Sequence, residues 1–293
     1  MKALERVAIF SQDRSRRTVD CVNQLIKEMC ARGTRLQIHE KAGEEYPCSG
    51  AGIEKFSELG DLAELPDLVL SVGGDGTYLE TMLMVRKLGI PVAGINTGRL
   101  GFLANIPGDE VPAALDRLYG GNYVIMERSL LEVYGTGALF GERESFALNE
   151  ITIQKSDLTM ITINVFVNDL YLNTYWADGI IVSTATGSTA YNLSSGGPIL
   201  TPEDRSIIIS PISPHNLTIR PIVISGSSSL RMVVEGRGDG YLVTSDFRWK
   251  KIPFTESVFV RQSDERLKTV MLTGTDFFTT LRTKLMWGAD NRN

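Results

Sequence analysis

A carboxylate stands among glycines in Gly73-Gly74-Asp75-Gly76-Thr77. Glycines permit positive φ and let a ligand touch the backbone, while the amides at a helix start attract phosphate. Asp75 is the unusual part, because an anion in a phosphate-binding loop is unfavourable without a task of its own. It can hold a divalent cation, accept a proton from a nucleophilic hydroxyl, or bind a ribose hydroxyl. The alternative without chemistry is a glycine-rich turn in which Asp75 caps the following helix.

A second run begins at Asp178-Gly179, passes through Ile180-Ile181-Val182 and continues as Ser183-Thr184-Ala185-Thr186-Gly187-Ser188-Thr189-Ala190-Tyr191-Asn192-Leu193-Ser194-Ser195-Gly196-Gly197-Pro198. Small hydroxyl residues around glycines offer donors and acceptors to a ribose, a phosphate or a base edge, and Tyr191 can stack on a flat ring. A flexible Ser/Thr/Gly loop is the competing reading. The embedded Tyr191 and Leu193, and the apolar strand feeding them, count against it. A third candidate, Asn149-Glu150, sets an amide beside a carboxylate at the start of Ile151-Thr152-Ile153. Adjacent strand residues point to opposite faces, so both reach one ligand only if the chain bends there. Taken alone, the pair reads as a solvated strand end.

The elements that must position these residues fall into two groups. Val7-Ala8-Ile9-Phe10 reads as a strand, and Val19, Val22, Leu25, Ile26 and Met29 recur at helical spacing after it. Asp67 to Val72 is a second strand running into the glycine loop. Leu79, Met82, Leu83 and Leu88 then suit a helix ending near Gly89, and Pro91 to Asn96 is the next strand. Strands alternating with helices predict an α/β domain with a parallel sheet, whose ligands gather at the C-terminal strand ends. After about residue 123 the period becomes two, as in Ile161, Ile163, Val165 and Val167, with a turn at Asn168-Asp169. We therefore expect an α/β domain over 1–122, a β-rich domain over 123–264, and a last segment, 265–293, that packs back on the first domain. A helix is expected within that segment, from about Asp276 to Trp287.

The 293 residues suffice for two ordinary domains, and 43% hydrophobic with 22% charged residues is a globular composition. A formal charge of -5 supplies no field for gripping nucleic acid or an anionic bilayer. No apolar run approaches the roughly 20 residues that span a membrane. The start Met1-Lys2-Ala3-Leu4-Glu5-Arg6 lacks the apolar run of a signal peptide, and Cys21, Cys30 and Cys48 form no Cys-x-x-Cys pair, so a cytoplasmic location is expected. His39 and His215 have no partner at zinc-ligand spacing, and no metal site is assigned to protein side chains. A P-loop, a His-Arg-Asp catalytic loop, a His-Glu-x-x-His helix and a Gly-x-Gly-x-x-Gly turn after a strand are all missing; Gly135 to Gly141 has the wrong spacing and reads as a loop.

In chain order, Gly73 to Thr77, then Gly94-Ile95-Asn96-Thr97-Gly98-Arg99-Leu100-Gly101-Phe102-Leu103, Asn149-Glu150 and Asp178 to Pro198 resemble the NAD kinase family, of the bacterial type using ATP or polyphosphate. Its members phosphorylate the 2′-hydroxyl of the adenosine ribose of NAD to make NADP. The glycine loop by itself also resembles those of lipid kinases and phosphofructokinases, whereas Thr186 to Tyr191 after Asp178-Gly179 is specific. The resemblance implies that Asp75 is the catalytic proton acceptor and that Asp75 and Gly76 lie against the nucleotide. It implies phosphate and ATP contacts from Gly73, Gly74, Gly76 and Thr77. Asn149 and Glu150 would bind the ribose and nicotinamide region and Asp178 the nicotinamide side. Thr189, Ala190, Tyr191, Asn192, Leu193 and Ser194 would line the adenine and ribose pocket, with Ser213 at a helper position for the base. Mg²⁺ carried with ATP and assembly into a homodimer or homotetramer are implied as well.

Two departures from the family pattern stand out. Trp176 occupies a position where relatives often carry Arg or Lys, and Asp246-Phe247-Arg248 replaces an Asp-Gly-Gln-like stretch. The competing classes are a lipid or sugar kinase sharing the glycine loop and a non-catalytic NAD-sensing module. An acidic chain without a basic amphipathic helix argues against the first, and an intact Asp75 argues against the second.

Overall fold

The computed structural model describes residues 4–43, 52–98, 101–135, 140–141 and 145–286. Cys48, Arg99-Leu100, most of the 135–141 glycine run and Trp287 lie outside the described residues. The chain divides into two compact units, Met1–Glu127 with Leu267–Asn293, and Arg128–Arg266.

Unit 1 is built from β1 (Arg6–Phe10), α1 (Arg16–Ala31), β2 (Arg35–His39), α2 (Glu40–Gly43), β3 (Ile53–Phe56), β4 (Leu68–Gly73), α3 (Asp75–Val85), β5 (Val92–Asn96), β6 (Ile106–Pro107) and α4 (Val111–Tyr119). Its sheet has the order β5-β4-β1-β2-β3, all parallel. Strands β4 and β5 are buried throughout, as strands covered on both faces must be. Ser15 caps α1 by accepting from Thr18 N–H, and Val22, Leu25 and Met29 carry its buried face.

Helix α3 ends earlier than its apolar spacing predicts, and it buries Tyr78, Leu79, Thr81, Met82 and Val85 in place of Leu83 and Leu88. Hydrogen bonding accounts for the burial of the two polar side chains among these. Thr81 Oγ1 donates to Ser71 Oγ at 2.8 Å and Tyr78 OH to Thr269 Oγ1 at 3.0 Å, so these hydroxyls enter the interior already paired.

Unit 2 follows with β7 (Tyr123–Tyr134), β8 (Phe146–Ala147), β9 (Glu150–Lys155), β10 (Ile161–Val167), β11 (Leu170–Ala177), β12 (Gly179–Ser183), α5 (Tyr191–Ser194), β13 (Ile207–Ile212), β14 (Ile222–Ile224), β15 (Ser229–Glu235), β16 (Tyr241–Ser245), β17 (Arg248–Ile252) and β18 (Ser257–Leu272). One antiparallel sheet runs β14-β13-β12-β9-β16-β17, and a second runs β11-β10-β15-β18. Ile151, Ile153, Val182 and Val243 from the first sheet share a core with Ile163, Val165, Met232 and Val260 from the second. The period of two arises because each strand turns alternate side chains to that core. Asn168 and Asp169, at φ of 48° and 63°, make the two-residue β10–β11 turn.

The unit boundary falls inside β7 and again inside β18, whose last residues pair with β5 at Thr269 and Val92. Continuous strands cross at both places, so no linker composition marks the division. Helix α6 (Phe277–Leu285), capped by Asp276 through Thr279 N–H at 2.8 Å, belongs to unit 1, where Phe277 packs against Phe102 at 6.4 Å between ring centres.

Candidate functional site

In unit 1 the glycine loop joins β4 to α3. Gly74 is the N-cap of α3, and Asp75 is its first residue, so the carboxylate does not cap the helix. It accepts three consecutive backbone N–H groups instead, from Phe102 on Oδ2 at 3.0 Å, and from Leu103 at 3.1 Å and Ala104 at 3.0 Å on Oδ1. Two glycines make this approach possible. A Cβ on Gly101 would overlap Asp75 Oδ1, and a Cβ on Gly94 would lie 2.7 Å from Ala104 Cα and 2.8 Å from Tyr78 Cδ2. A carboxylate offers about four lone-pair positions. Among the described residues two are used on Oδ1 and one on Oδ2, which leaves Oδ2 one position for a hydroxyl or a cation.

The first backbone bond of α3 runs from Tyr78 N–H to Gly74 C=O at 3.2 Å, so the earlier N–H groups of the turn have no helical carbonyl to bond. Gly74 and Gly76 are exposed, Gly73 is buried at the strand end and Thr77 is half-buried. Beside the C-terminal end of β5 lies an open hollow of about 510 Å³ lined by Asn96, Thr97 and Gly98 with Arg17, Asp20 and Gln24 of α1. The strand-end rule anticipates the β5 residues; the α1 residues carry no signal beyond lying on a polar helix face.

Among the described residues no group of three or more His, Cys, Asp or Glu is placed to hold a metal ion. A single carboxylate with one free position suits a cation that brings most of its ligands as phosphate oxygens and water, as Mg²⁺ does. Burial pushes the Cys21 thiol up to about 11, which makes it a poor nucleophile.

In unit 2 the chain bends just before β9, and Glu150 opens the strand. The solvated reading of this pair gives way: Glu150 is buried, at 9% exposure, and Asn149 is half-buried. Burial, and next the Asp246 carboxylate, push Glu150 up to about 8, opposed by a hydrogen bond from Tyr191 N–H. Among the described residues Glu150 Oε2 has no hydrogen-bond partner.

The hydroxyl-rich run is ordered by bonds that turn inward. Thr184 Oγ1 donates to Leu148 C=O at 2.6 Å, and Ser188 Oγ donates to Leu200 C=O at 3.2 Å. Asn192 is held by the same pattern. Its buried amide donates to Ser188 and Pro198 carbonyls at 3.2 and 3.0 Å and accepts from Ser210 Oγ at 2.6 Å, so its side chain faces the interior of the unit. Thr189, Ala190 and Leu193 are half-buried, while Tyr191 and Ser194 are exposed.

An open hollow of about 640 Å³ brings Asp178, Tyr191 and Ser213 together with Gln154, Lys155 and Asp157. Ser213 has a φ of 46°. The β9 residues carry no motif; only the antiparallel pairing of Gly179 with Gln154 sets Lys155 beside Asp178, and pairing is invisible to local spacing. Trp176 remains exposed at 55%.

Residues 7–123 match the model of the ATP-NAD kinase N-terminal domain and residues 148–272 that of the ATP-NAD kinase C-terminal domain. An NAD kinase of Flavobacterium psychrophilum is 38% identical over 98% of this chain and 100% of its own length. One from Cytophaga hutchinsonii is 43% identical over 81% of each chain. Among solved structures, yeast NADH kinase complexed with NADH aligns with a TM-score of 0.84 at 22% identity, covering 99% of this chain and 89% of that one. An NAD kinase from Archaeoglobus fulgidus in complex with ATP gives 0.73 at 23% identity, covering 96% and 98%. These two share the fold, and the sequence relatives decide the rest. Neither a lipid or sugar kinase nor a sensing module fits matches of this extent, and the chain belongs to the NAD kinase family.

Proposed function

We propose that Asp75 accepts the proton of the adenosine 2′-hydroxyl as this NAD kinase transfers the γ-phosphoryl group of ATP to that oxygen of NAD, giving NADP. One observation carries the role: among the described residues three N–H groups hold the carboxylate and leave one lone-pair position on Oδ2. A ribose hydroxyl is a weak nucleophile at neutral pH, and a base within reach contributes about 10²–10⁴-fold. The larger share comes from aligning donor and acceptor and from spreading the γ-phosphate charge. Gly73, Gly74, Gly76 and Thr77 supply phosphate contacts in this reading. Mg²⁺ carried with ATP supplies charge neutralisation when bound.

Asn149 and Glu150 take the ribose and nicotinamide region of NAD, and Asp178 the nicotinamide side. Thr189, Ala190, Tyr191, Asn192, Leu193 and Ser194 take the adenine and its ribose, with Ser213 beside the base. The Asp178–Tyr191–Ser213 hollow supports these assignments. The enzyme works in the cytoplasm as a homodimer or homotetramer and takes ATP as its phosphoryl donor.

NADP formation from NAD and Mg-ATP, read with an NADP-specific dehydrogenase, tests the reading. Asp75→Asn is expected to lose about 10²-fold or more in kcat and to flatten the pH–rate profile. Recovery of the variant at high Mg²⁺ would make Asp75 a metal ligand instead, and full activity would remove it from the chemistry.

A further inference from the structure

The Asp246 side chain has no part in the reaction just described, yet it is tied to the Asn149-Glu150 corner more closely than any residue of the nucleotide set. It sits in the tight turn between β16 and β17 with a φ of 50°, a left-handed conformation that Asp and Asn tolerate better than most residues. Its side chain is fully buried. Oδ2 accepts Leu148 N–H at 2.9 Å, and Oδ1 accepts Asn149 N–H at 2.9 Å and Glu150 N–H at 3.2 Å. Its own N–H donates to Glu150 C=O at 2.9 Å. Arg248 Nη2 stands 3.7 Å from Oδ2 and donates to Phe146 C=O at 2.6 Å, bracing the chain just upstream of the same corner.

We propose that Asp246 is the positioning residue of the Asn149-Glu150 corner, fixing where that pair meets the nucleotide. The proposal rests on the reading that Asn149 and Glu150 bind NAD. Three consecutive N–H groups aimed at one carboxylate hold a bend that strand pairing alone would straighten, and the bend is what lets two adjacent residues serve one ligand.

The protonation argument follows from the surroundings. Burial pushes the Asp246 carboxyl up from its ordinary value, and the three N–H donors and the Arg248 guanidinium oppose that by favouring the ionised form. Glu150 is buried beside that charge, with Oε2 unpartnered among the described residues. The groups facing its carboxyl are Asp246 from the β16–β17 turn, with Arg248 behind it, and the N–H of Tyr191 from α5. Burial, and next the Asp246 charge, hold the Glu150 carboxyl well above the usual carboxylate range, at about 8. Taking away the neighbouring negative charge lowers that value.

The experiment measures KM for NAD, KM for ATP and kcat of the full chain from about pH 6 to about pH 9.5, for the wild type, Asp246→Asn and Glu150→Gln. Asparagine keeps the size of the side chain and tolerates the left-handed turn. The wild type is expected to show a bend in KM for NAD near the Glu150 transition. In Asp246→Asn that bend moves down by about one pH unit or more, KM for NAD rises roughly tenfold, and KM for ATP stays within about threefold. Glu150→Gln shows no bend. An unmoved bend with unchanged KM for NAD in Asp246→Asn, or a bend that persists in Glu150→Gln, overturns the proposal.

Asn149→Ala and Glu150→Ala separate the two levels. If neither changes KM for NAD, the underlying assignment of the corner to NAD fails, whatever Asp246 does. Should Asp246→Asn not fold, heat stability decides. A Glu150 that is protonated when folded and ionised when unfolded costs the wild type stability as pH rises from its ordinary value toward about 8. Glu150→Gln should accordingly gain in Tm over the wild type across that window, and parallel Tm curves overturn the proposal.

Discussion

Lys155 Nζ stands 2.6 Å from Asp178 Oδ1, and the same two residues are joined again through Lys155 N–H and Asp178 C=O at 2.9 Å. Backbone and side chain together fix the carboxylate at the hollow that also holds Tyr191 and Ser213. Both side chains are partly exposed, so the ion pair contributes about 0.2–1 kcal/mol at most. Lys155→Met is expected to weaken NAD binding by no more than about fivefold. ATP binding should not change. Calorimetric titration with each nucleotide checks both statements, and equal losses for the two would assign Lys155 a general structural role.

Gly101→Ala tests the cradle of Asp75 without touching the carboxylate. The new methyl group would overlap Oδ1, and either the Asp75 side chain or the 101–104 segment must shift. A displacement of about 1 Å at a reacting group costs on the order of 10²-fold. We expect kcat to fall by that order while KM for NAD changes little. Steady-state kinetics with a circular-dichroism melt distinguish this from unfolding.

Asn192 and Ser194 lie two residues apart and should respond oppositely. Asn192→Ala leaves Ser210 Oγ and two backbone carbonyls short of a buried partner and is expected to cost about 1–3 kcal/mol or more of stability. Ser194→Ala, at an exposed position, should leave the melt within about 0.5 kcal/mol of the wild type and alter KM for NAD instead. Denaturant melts of both variants read the difference directly.

Cys21 and Cys30 differ in chemistry. Cys21 is buried with its thiol pushed up to about 11, whereas Cys30 is exposed. At about pH 8, iodoacetamide should modify Cys30 in the native protein and leave Cys21 untouched until the chain is unfolded. Peptide mapping by mass spectrometry gives the answer, and early labelling of Cys21 would contradict its burial.

The residues that the sequence makes legible are those whose signal is local. The alternation of Ile161, Ile163 and Val165, the buried run of Val7 to Phe10 and the strand–loop–helix order around Asp75 depend on neighbours within a few positions. Asp75 was legible as a chemical group, and its mode of support was not, because the amides of 102–104 lie far along the chain. Asn192 sits in a motif dense with hydroxyls, and nothing in that spacing tells which members face inward. Asp246 is the clearest case: its partners are about a hundred residues away, and only the ladder of β9 with β16 brings them together. The unit boundary was hidden for a different reason, since β7 and β18 run through it as ordinary strands.

That passage of β18 through the boundary has a consequence for synthesis. Arg128–Arg266 is one continuous stretch and is complete as soon as it leaves the ribosome, whereas unit 1 waits for Leu267 onward. Val270 and Leu272 belong to its apolar core, and Thr269 receives the hydroxyl of Tyr78. The first unit to be translated is thus the last to close. Until then the nascent β5 edge and the pocket for those side chains stand open, and chaperone binding during translation should concentrate on the N-terminal half.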